Sequence, residues 1–263
     1  MLTGVYLAYK KDGEKYYRSS ITYLGKHISL GSYDTEIDAH KAYLLASKLL
    51  NSNSKQDIDQ YPSDCILSFD KWVVLNNYRD NQIYFKTPIY LKKNYFLYYI
   101  DKDTVLKFDV DDLFYYAHHK IQKRGGHLFV SDYGMQVSLA SRYGIKPYSV
   151  LKRDYLFANG DCNDYRYGNI IIINRYQGVS KIDKKGKTIY LAKINIRGEF
   201  IIGYYSTEEE AAIAYNKAAL LLKEKGLTKN FILNYIEGID EITYASMYQK
   251  IKISKKIRDY IVT

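Results

Sequence analysis

The sequence predicts an α+β protein: two small modules, each a three-stranded sheet with one helix across it, flanking a central region. Three observations predict this. In residues 190–196 the apolar Tyr190, Ala192, Ile194 and Ile196 stand at every second position, with Lys193 and Asn195 between them, which is the period of a half-buried strand. In residues 208–222 Ala211, Ala214, Tyr215, Ala218 and Leu222 recur at helical spacing, and their small size lets a helix lie close to a sheet. The third observation is a repeat of this pattern near the start of the chain.

Within the better-marked copy, Arg197-Gly198-Glu199 reads as a tight turn and residues 200–205 as the returning strand. Ser206-Thr207 followed by Glu208, Glu209 and Glu210 is an N-cap with acidic residues in the first helical turn, where the helix dipole favours negative charge. The earlier copy follows it position by position. Gly4-Val5 matches Gly178-Val179, and Tyr17-x-Ser19-x-Ile21 matches Tyr190-x-Ala192-x-Ile194. Gly25 matches Gly198, and Leu30-Gly31-x-Tyr33 matches Ile202-Gly203-x-Tyr205. Thr35, Ala39, Ala42, Tyr43 and Ala46 then follow Thr207, Ala211, Ala214, Tyr215 and Ala218. Two modules in one chain gain avidity where both reach the same partner molecule.

Between the copies, residues 51–62 (NSNSKQDIDQYP) are polar and rich in turn formers, so they read as a linker. Residues 65–74, around Trp72, suit a short helix or a strand equally. Residues 83–109 are tyrosine-rich and alternate as several strands. Val110, Leu113, Phe114, Ala117, His118 and Ile121, with Asp111 and Asp112 near the start, predict a helix over 110–123. The segment 236–263 is either a terminal helix packed on the body or a mobile arm. Its Ile251, Ile253 and Ile257 favour partial burial, and Lys255, Lys256 and Arg258 favour contact with a polyanion. The expected divisions are therefore a module at 1–51, a linker at 52–62, a central domain at 63–175, a second module at 176–236 and a basic tail or helix at 237–263.

A chain of 263 residues can hold two domains or three small ones. Its net charge of +10 favours a polyanionic partner. Cys65 and Cys162 sit in no metal-ligand spacing and fit a reducing compartment. No apolar run approaches a membrane span and the N-terminus lacks a signal peptide's apolar core, so a soluble cytoplasmic protein with no membrane partner is expected. The 31 tyrosines suit stacking on bases, protein interfaces and ordinary strands alike. His118 and His119 are adjacent and, on a helix, point about 100° apart, so they do not share one ion; with His127 they form at best a loose cluster, and no metal or other cofactor is expected.

The repeated unit, extended by Asn230-Phe231-x-Leu233-Asn234, resembles the Apetala-two (ethylene-response-factor) DNA-binding domain. The resemblance implies a three-stranded sheet, supported by its helix, that enters the major groove. In the middle, Val130-Ser131-Asp132-Tyr133-Gly134 with Ser138-Leu139 resembles a short motif found beside the nuclease domain of phage homing endonucleases. Asn159-Gly160-Asp161-x-x-Asp164-x-Arg166-x-x-Asn169-Ile170 resembles the signature of the HNH nucleases. That resemblance implies a ββα core, followed in such proteins by an Apetala-two-like module, and this order is kept here.

The catalytic pair departs from that family. An HNH site needs a metal ligand beside a histidine general base. Carried over residue by residue, those positions are Leu156 and Phe157, which neither bind a metal nor take a proton. Tyr165 replaces an asparagine of the motif, while Asn169 is retained. Asp154 lies two residues before the ligand position, and a base would have to come from His118, His119 or His127. No catalytic residue is therefore assigned, and the resemblance implies a degenerate nuclease of phage or mobile-element origin, acting in the bacterial cytoplasm or at the nucleoid.

The expected function is DNA binding. Phosphates are expected to meet Lys10, Lys11, Lys15, Lys181, Lys184, Lys185 and Lys187. By resemblance, bases are read by Ser20, Thr22, His27 and Ser29 in the first module and by Lys193, Asn195, Glu199 and Ile201 in the second. The family's plant members carry mostly Arg and Trp there, whose absence speaks against strong guanine readout. Two alternatives stand beside this: an adaptor or inhibitor that binds RNA, a protein or a ribonucleoprotein, and an active HNH nuclease with relocated ligands.

Overall fold

The structure, a computed structural model, describes residues 1–51 and 57–261. The chain is a mixed α+β protein with several small antiparallel sheets. It divides into two compact units, one of residues 1–139 with 161–169 and one of 140–160 with 170 onward. The stretch 63–175, expected as one central domain, is shared between them. Residues 52–56 of the expected linker and the last two of the expected tail lie outside the described residues.

In the first unit, β1 (Val5–Tyr9), β2 (Lys15–Tyr23) and β3 (Lys26–Tyr33) form an antiparallel sheet in the order β1-β2-β3, and α1 (Glu36–Asn51) crosses it. Ile21, Ile28 and Leu30 from the sheet meet Ala42, Ala46 and Leu49 from α1. The core is completed by α2 (Phe69–Asn81), which contributes Trp72, Leu75 and Tyr78. Residues 69–74 are thus helix rather than strand, begun by Ser68, whose side chain accepts a hydrogen bond from the Lys71 N–H.

A second sheet follows, β4 (Ile89–Leu91), β5 (Tyr95–Tyr99) and β6 (Val105–Asp109), in agreement with the alternation read in residues 83–109. A single 3₁₀ turn at Val110–Asp112 leads into α3 (Leu113–His118). The helix expected to reach residue 123 ends here. Ile121 instead starts β7 (Ile121–Arg124), paired with β8 (His127–Asp132), which pairs with β9 (Met135–Ser138). Two causes are local: Gly125 and Gly126 both have positive φ, as a type I′ hairpin turn requires, and the Ile121 N–H donates to the Tyr98 hydroxyl at 2.9 Å. The Val130–Gly134 motif is the β8–β9 hairpin, with Tyr133 and Gly134 both at positive φ.

The second unit takes up the chain from α4 (Leu139–Arg142), which crosses the boundary. β10 (Tyr155–Phe157) pairs antiparallel with β11 (Ile170–Ile172). β12 (Val179–Lys184), β13 (Lys187–Asn195) and β14 (Glu199–Tyr205) form the sheet of the second module, backed by α5 (Glu208–Glu224). Thr207 and Glu210 form a reciprocal capping box at its start. One part of the resemblance is corrected: β10 and β11 supply two strands, but residues 173–178 lead directly into β12 without the helix that would complete a ββα unit.

The terminal segment is packed. After α6 (Glu241–Lys250) and α7 (Lys255–Arg258), Ile253 and Ile257 enter the core with Ala211, Ala218 and Leu222. Lys217 of α5 and Lys225 just past its end hold it. Lys217 Nζ donates to the carbonyls of Tyr248 at 2.6 Å and Ile251 at 2.8 Å, occupying the unpaired oxygens at the end of α6, and Lys225 does the same for Arg258 and Tyr260 beside α7. The Ser254 N–H and hydroxyl donate to the carbonyls of Ile202 and Ile201, which covers part of the outer edge of β14.

The repeat is exact at its tightest contact. Gly4 and Gly178 both have positive φ, and a Cβ on either would overlap the ring of Tyr43 or Tyr215, the matched helix residues. Among the described residues no helix is long and apolar enough to cross a membrane.

Candidate nucleic-acid interface

The registers of β1, β2 and β3 decide which side chains turn away from α1. Val5, Ile21, Ile28 and Leu30 face the helix and are buried. On the other face Tyr6 stands opposite Arg18, and Arg18 opposite Ser32; next to them Tyr16 pairs with Ala8, and further along Thr22 pairs with His27. Thr22, His27 and Ser29 are exposed there.

Arg18 is the residue that the sequence reading missed. Its guanidinium lies at the middle of the central strand, where Nη2 donates to the Tyr16 hydroxyl at 2.8 Å and Nε at 3.2 Å, with the carbon 5.6 Å from the ring centre. Among the described residues no carboxylate pairs with it. The apparent lack of arginine on this face is therefore corrected. The signal was available, because Arg18 has the same strand parity as Ser20 and Thr22.

Ser20 shares that face but is buried within it. The register shifts between Ser19 and Ser20, so Ser19 pairs with Gly31 and Ser20 with Ser29, leaving Leu30 as the extra residue of β3. Both serines are buried, Ser20 at 7% exposure, and among the described residues the Ser20 hydroxyl has no hydrogen-bond partner. Of this module's three lysines expected at phosphates, Lys11 and Lys15 are exposed and, among the described residues, pair with no carboxylate. Lys10 donates to Glu14 at 2.5 Å, which raises its pKa through that hydrogen bond and the adjacent charge.

The second module presents a different face. Ser180, Leu191 and Tyr204 form one cross-strand row, Ile182 and Ile189 a pair, and Lys193 and Ile201 another. Lys193 is tied to Glu199 at 2.9 Å, and the Asn195 side-chain oxygen accepts from Lys229 at 3.2 Å, so the readers expected here are engaged within the module. Lys181, Lys184, Lys185 and Lys187 are exposed without a carboxylate partner among the described residues.

The HNH-like residues serve as braces. In the first unit the loop 161–169 lies along β6: the Lys107 N–H donates to the Asn163 carbonyl at 2.9 Å, and the Tyr165 N–H to that of Lys107 at 2.8 Å. Lys107 also pairs with Asp161 at 3.0 Å, and this bond, with one from the Asn163 N–H, holds the Asp161 carboxyl below its ordinary range. Asp164 is fully buried and accepts from Arg166 Nε at 2.8 Å and Nη2 at 2.6 Å, while Asn169 donates to the Asp164 carbonyl at 2.8 Å. Tyr165 stacks on Phe108.

Asn159 and Gly160 belong to the other unit, as do Leu156 and Phe157. Leu156 pairs with Ile171 and Phe157 with Ile170, as half-buried strand residues. Asp154 is no free ligand: it accepts from Arg153 at 2.7 Å, from the Val150 N–H at 2.8 Å and from Asn174 at 3.0 Å. Burial pushes its pKa up, but these hydrogen bonds outweigh burial and hold the carboxyl below its usual range. In the first unit, His118 and His119 each hydrogen-bond through Nδ1 to the carbonyl four residues back, and His119 stacks on Tyr115. Among the described residues no three His, Cys, Asp or Glu side chains are grouped to hold a metal.

In comparison with known proteins, no family model matches the chain, and neither a curated protein nor a solved structure matches it.

Proposed function

We propose that the chain is a non-catalytic DNA-binding protein whose recognition surface is the outward face of β1, β2 and β3. The observation that carries this reading is Arg18, an exposed guanidinium without an acidic partner, oriented by Tyr16 at the centre of a polar sheet face. Among the described residues Nη1 has no partner, so the fork can still donate to the O6 and N7 of guanine, the commonest specific base contact. Thr22, His27 and Ser29 extend the polar row, and Lys11 and Lys15 supply phosphate contacts at the β1–β2 end.

Duplex DNA is favoured over duplex RNA because the major groove of A-form RNA is too deep and narrow for side chains on a sheet. The apolar Leu156 and Phe157 support a core that has kept its packing and lost hydrolysis. Descent from a phage or mobile-element HNH endonuclease, with action at bacterial DNA, belongs to the same reading and rests on the motif residues alone. The test is selection of bound duplexes from a random library, with and without magnesium. Enrichment of intact sites in both conditions supports the reading. Metal-dependent loss of the bound DNA by cutting, or no enrichment at all, overturns it.

A further inference from the structure

The two modules share a fold and differ in what they turn outward. We propose that the outward face of β12, β13 and β14 is a docking surface for a second protein, one that is apolar at its centre and rimmed by carboxylates. This inference stands apart from the DNA reading of the first module.

The centre comes from the register. Ile182 and Ile189 are cross-strand neighbours, Leu191 stands beside Tyr204, and Ile201 lies opposite Lys193. None of these five apolar residues belongs to the core of the second unit or packs against it, and Ile201 and Tyr204 are 45% and 52% exposed. A contiguous apolar face of this kind marks an interaction site, and aliphatic side chains offer no hydrogen bond to a phosphate or a base edge. The corresponding positions in the first module hold Tyr16, Arg18 and Ser32.

The rim selects the partner. Lys184, Lys185 and Lys187 surround the β12–β13 end, where Lys184 and Lys187 are cross-strand neighbours, and none pairs with a carboxylate among the described residues. Lys184 lies over the ring of Tyr204 at 5.2 Å, which joins the rim to the apolar centre. An apolar centre with a charged rim is the ordinary anatomy of a protein interface, and this rim calls for Asp and Glu opposite it. A second copy of the chain is disfavoured, because each copy carries a net charge of +10 and the same basic rim.

The test uses short random peptides displayed against the full chain, followed by binding measurements on those enriched. Two variants report separately: Ile189→Glu/Leu191→Glu for the centre and Lys184→Glu/Lys185→Glu/Lys187→Glu for the rim, each checked for an unchanged urea midpoint. The expected result is peptides with apolar residues flanked by Asp or Glu, bound about tenfold more weakly by either variant. The centre variant should keep the duplex affinity of the wild type. The proposal is overturned by no enrichment, by enriched peptides that are basic, or by equal binding to the variants. It is also overturned if the centre variant abolishes self-association of the chain or loses duplex affinity, which would make the face a homodimer or DNA surface. Loss of duplex binding by the wild type alone would overturn the reading of the first module and leave peptide capture intact.

Discussion

The Arg18 guanidinium and the Tyr16 hydroxyl are joined on the outward side of β2, with Nη2 2.8 Å and Nε 3.2 Å from the oxygen. A tyrosine two residues away along the strand shares that face, so the hydroxyl holds a long side chain that would otherwise sample many rotamers. Arg18→Ala should lower affinity for a selected duplex by about 1–3 kcal/mol, the value of one bidentate base contact. Tyr16→Phe should cost about 1 kcal/mol, since it removes only the orienting hydrogen bond. Fluorescence anisotropy at fixed salt measures both.

Phosphate contacts are separable from base contacts by their salt dependence. Lys11→Ala and Lys15→Ala should each reduce the log–log salt slope of duplex binding by about one. Lys193→Ala should leave slope and affinity close to wild type, because Glu199 already pairs with that ammonium.

Gly178 lies against the ring of Tyr215 with φ +73°, as Gly4 lies against Tyr43 with φ +77°. Gly178→Ala should destabilise the second unit by at least about 2 kcal/mol, combining left-handed backbone strain with overpacking. Gly186→Ala is the control: φ is again positive, but no atom lies where its Cβ would go, so about 1 kcal/mol is expected. Urea unfolding compares the two.

The Asp154 network makes stability acid-sensitive. Its folded pKa is depressed, so its contribution is complete above the unfolded value of about 3.9 and is lost as pH falls through the folded value. Asp154→Asn should cost about 1–2 kcal/mol near neutral pH, because the buried Asp154 loses charge-assisted hydrogen bonds from Arg153 and the Val150 N–H, while Arg153 itself stays exposed to solvent. The gap between variant and wild type should close as the pH drops below about 4. Urea midpoints across pH give the curve, and a gap independent of pH would contradict the assignment.

Supercoiled plasmid should remain uncut with magnesium or manganese present. Gel electrophoresis after prolonged incubation checks this, and nicking that a chelator stops would point to ligands recruited from outside Leu156 and Phe157.

The modules were legible because their signals are local: alternation at Tyr190–Ile196, the Thr207–Glu210 capping box and the repeated glycines. Residues 69–81 were not, because α2 buries Trp72 and Leu75 in one cluster and Val73 in another, which erases a one-sided helical period. The end of α3 depended on a tertiary bond from Ile121 to Tyr98, invisible to spacing. Ser20 keeps the outward parity of Arg18 and Thr22, and its burial depends on packing that the spacing within one strand does not show. Arg18 needed no tertiary information, only the parity of β2 carried two residues further. The residues of the HNH-like motif could serve a site or a brace from sequence alone, and the bonds of Asp164, Arg166 and Asn169 show the brace.

The most direct measurement compares a selected duplex with its scrambled counterpart for the wild type and Arg18→Lys across a salt titration. The substitution keeps the charge and removes the fork, so the ratio of the two affinities should fall about tenfold or more while the salt slope stays the same. An unchanged ratio would show that the face of β1–β3 does not read bases through Arg18.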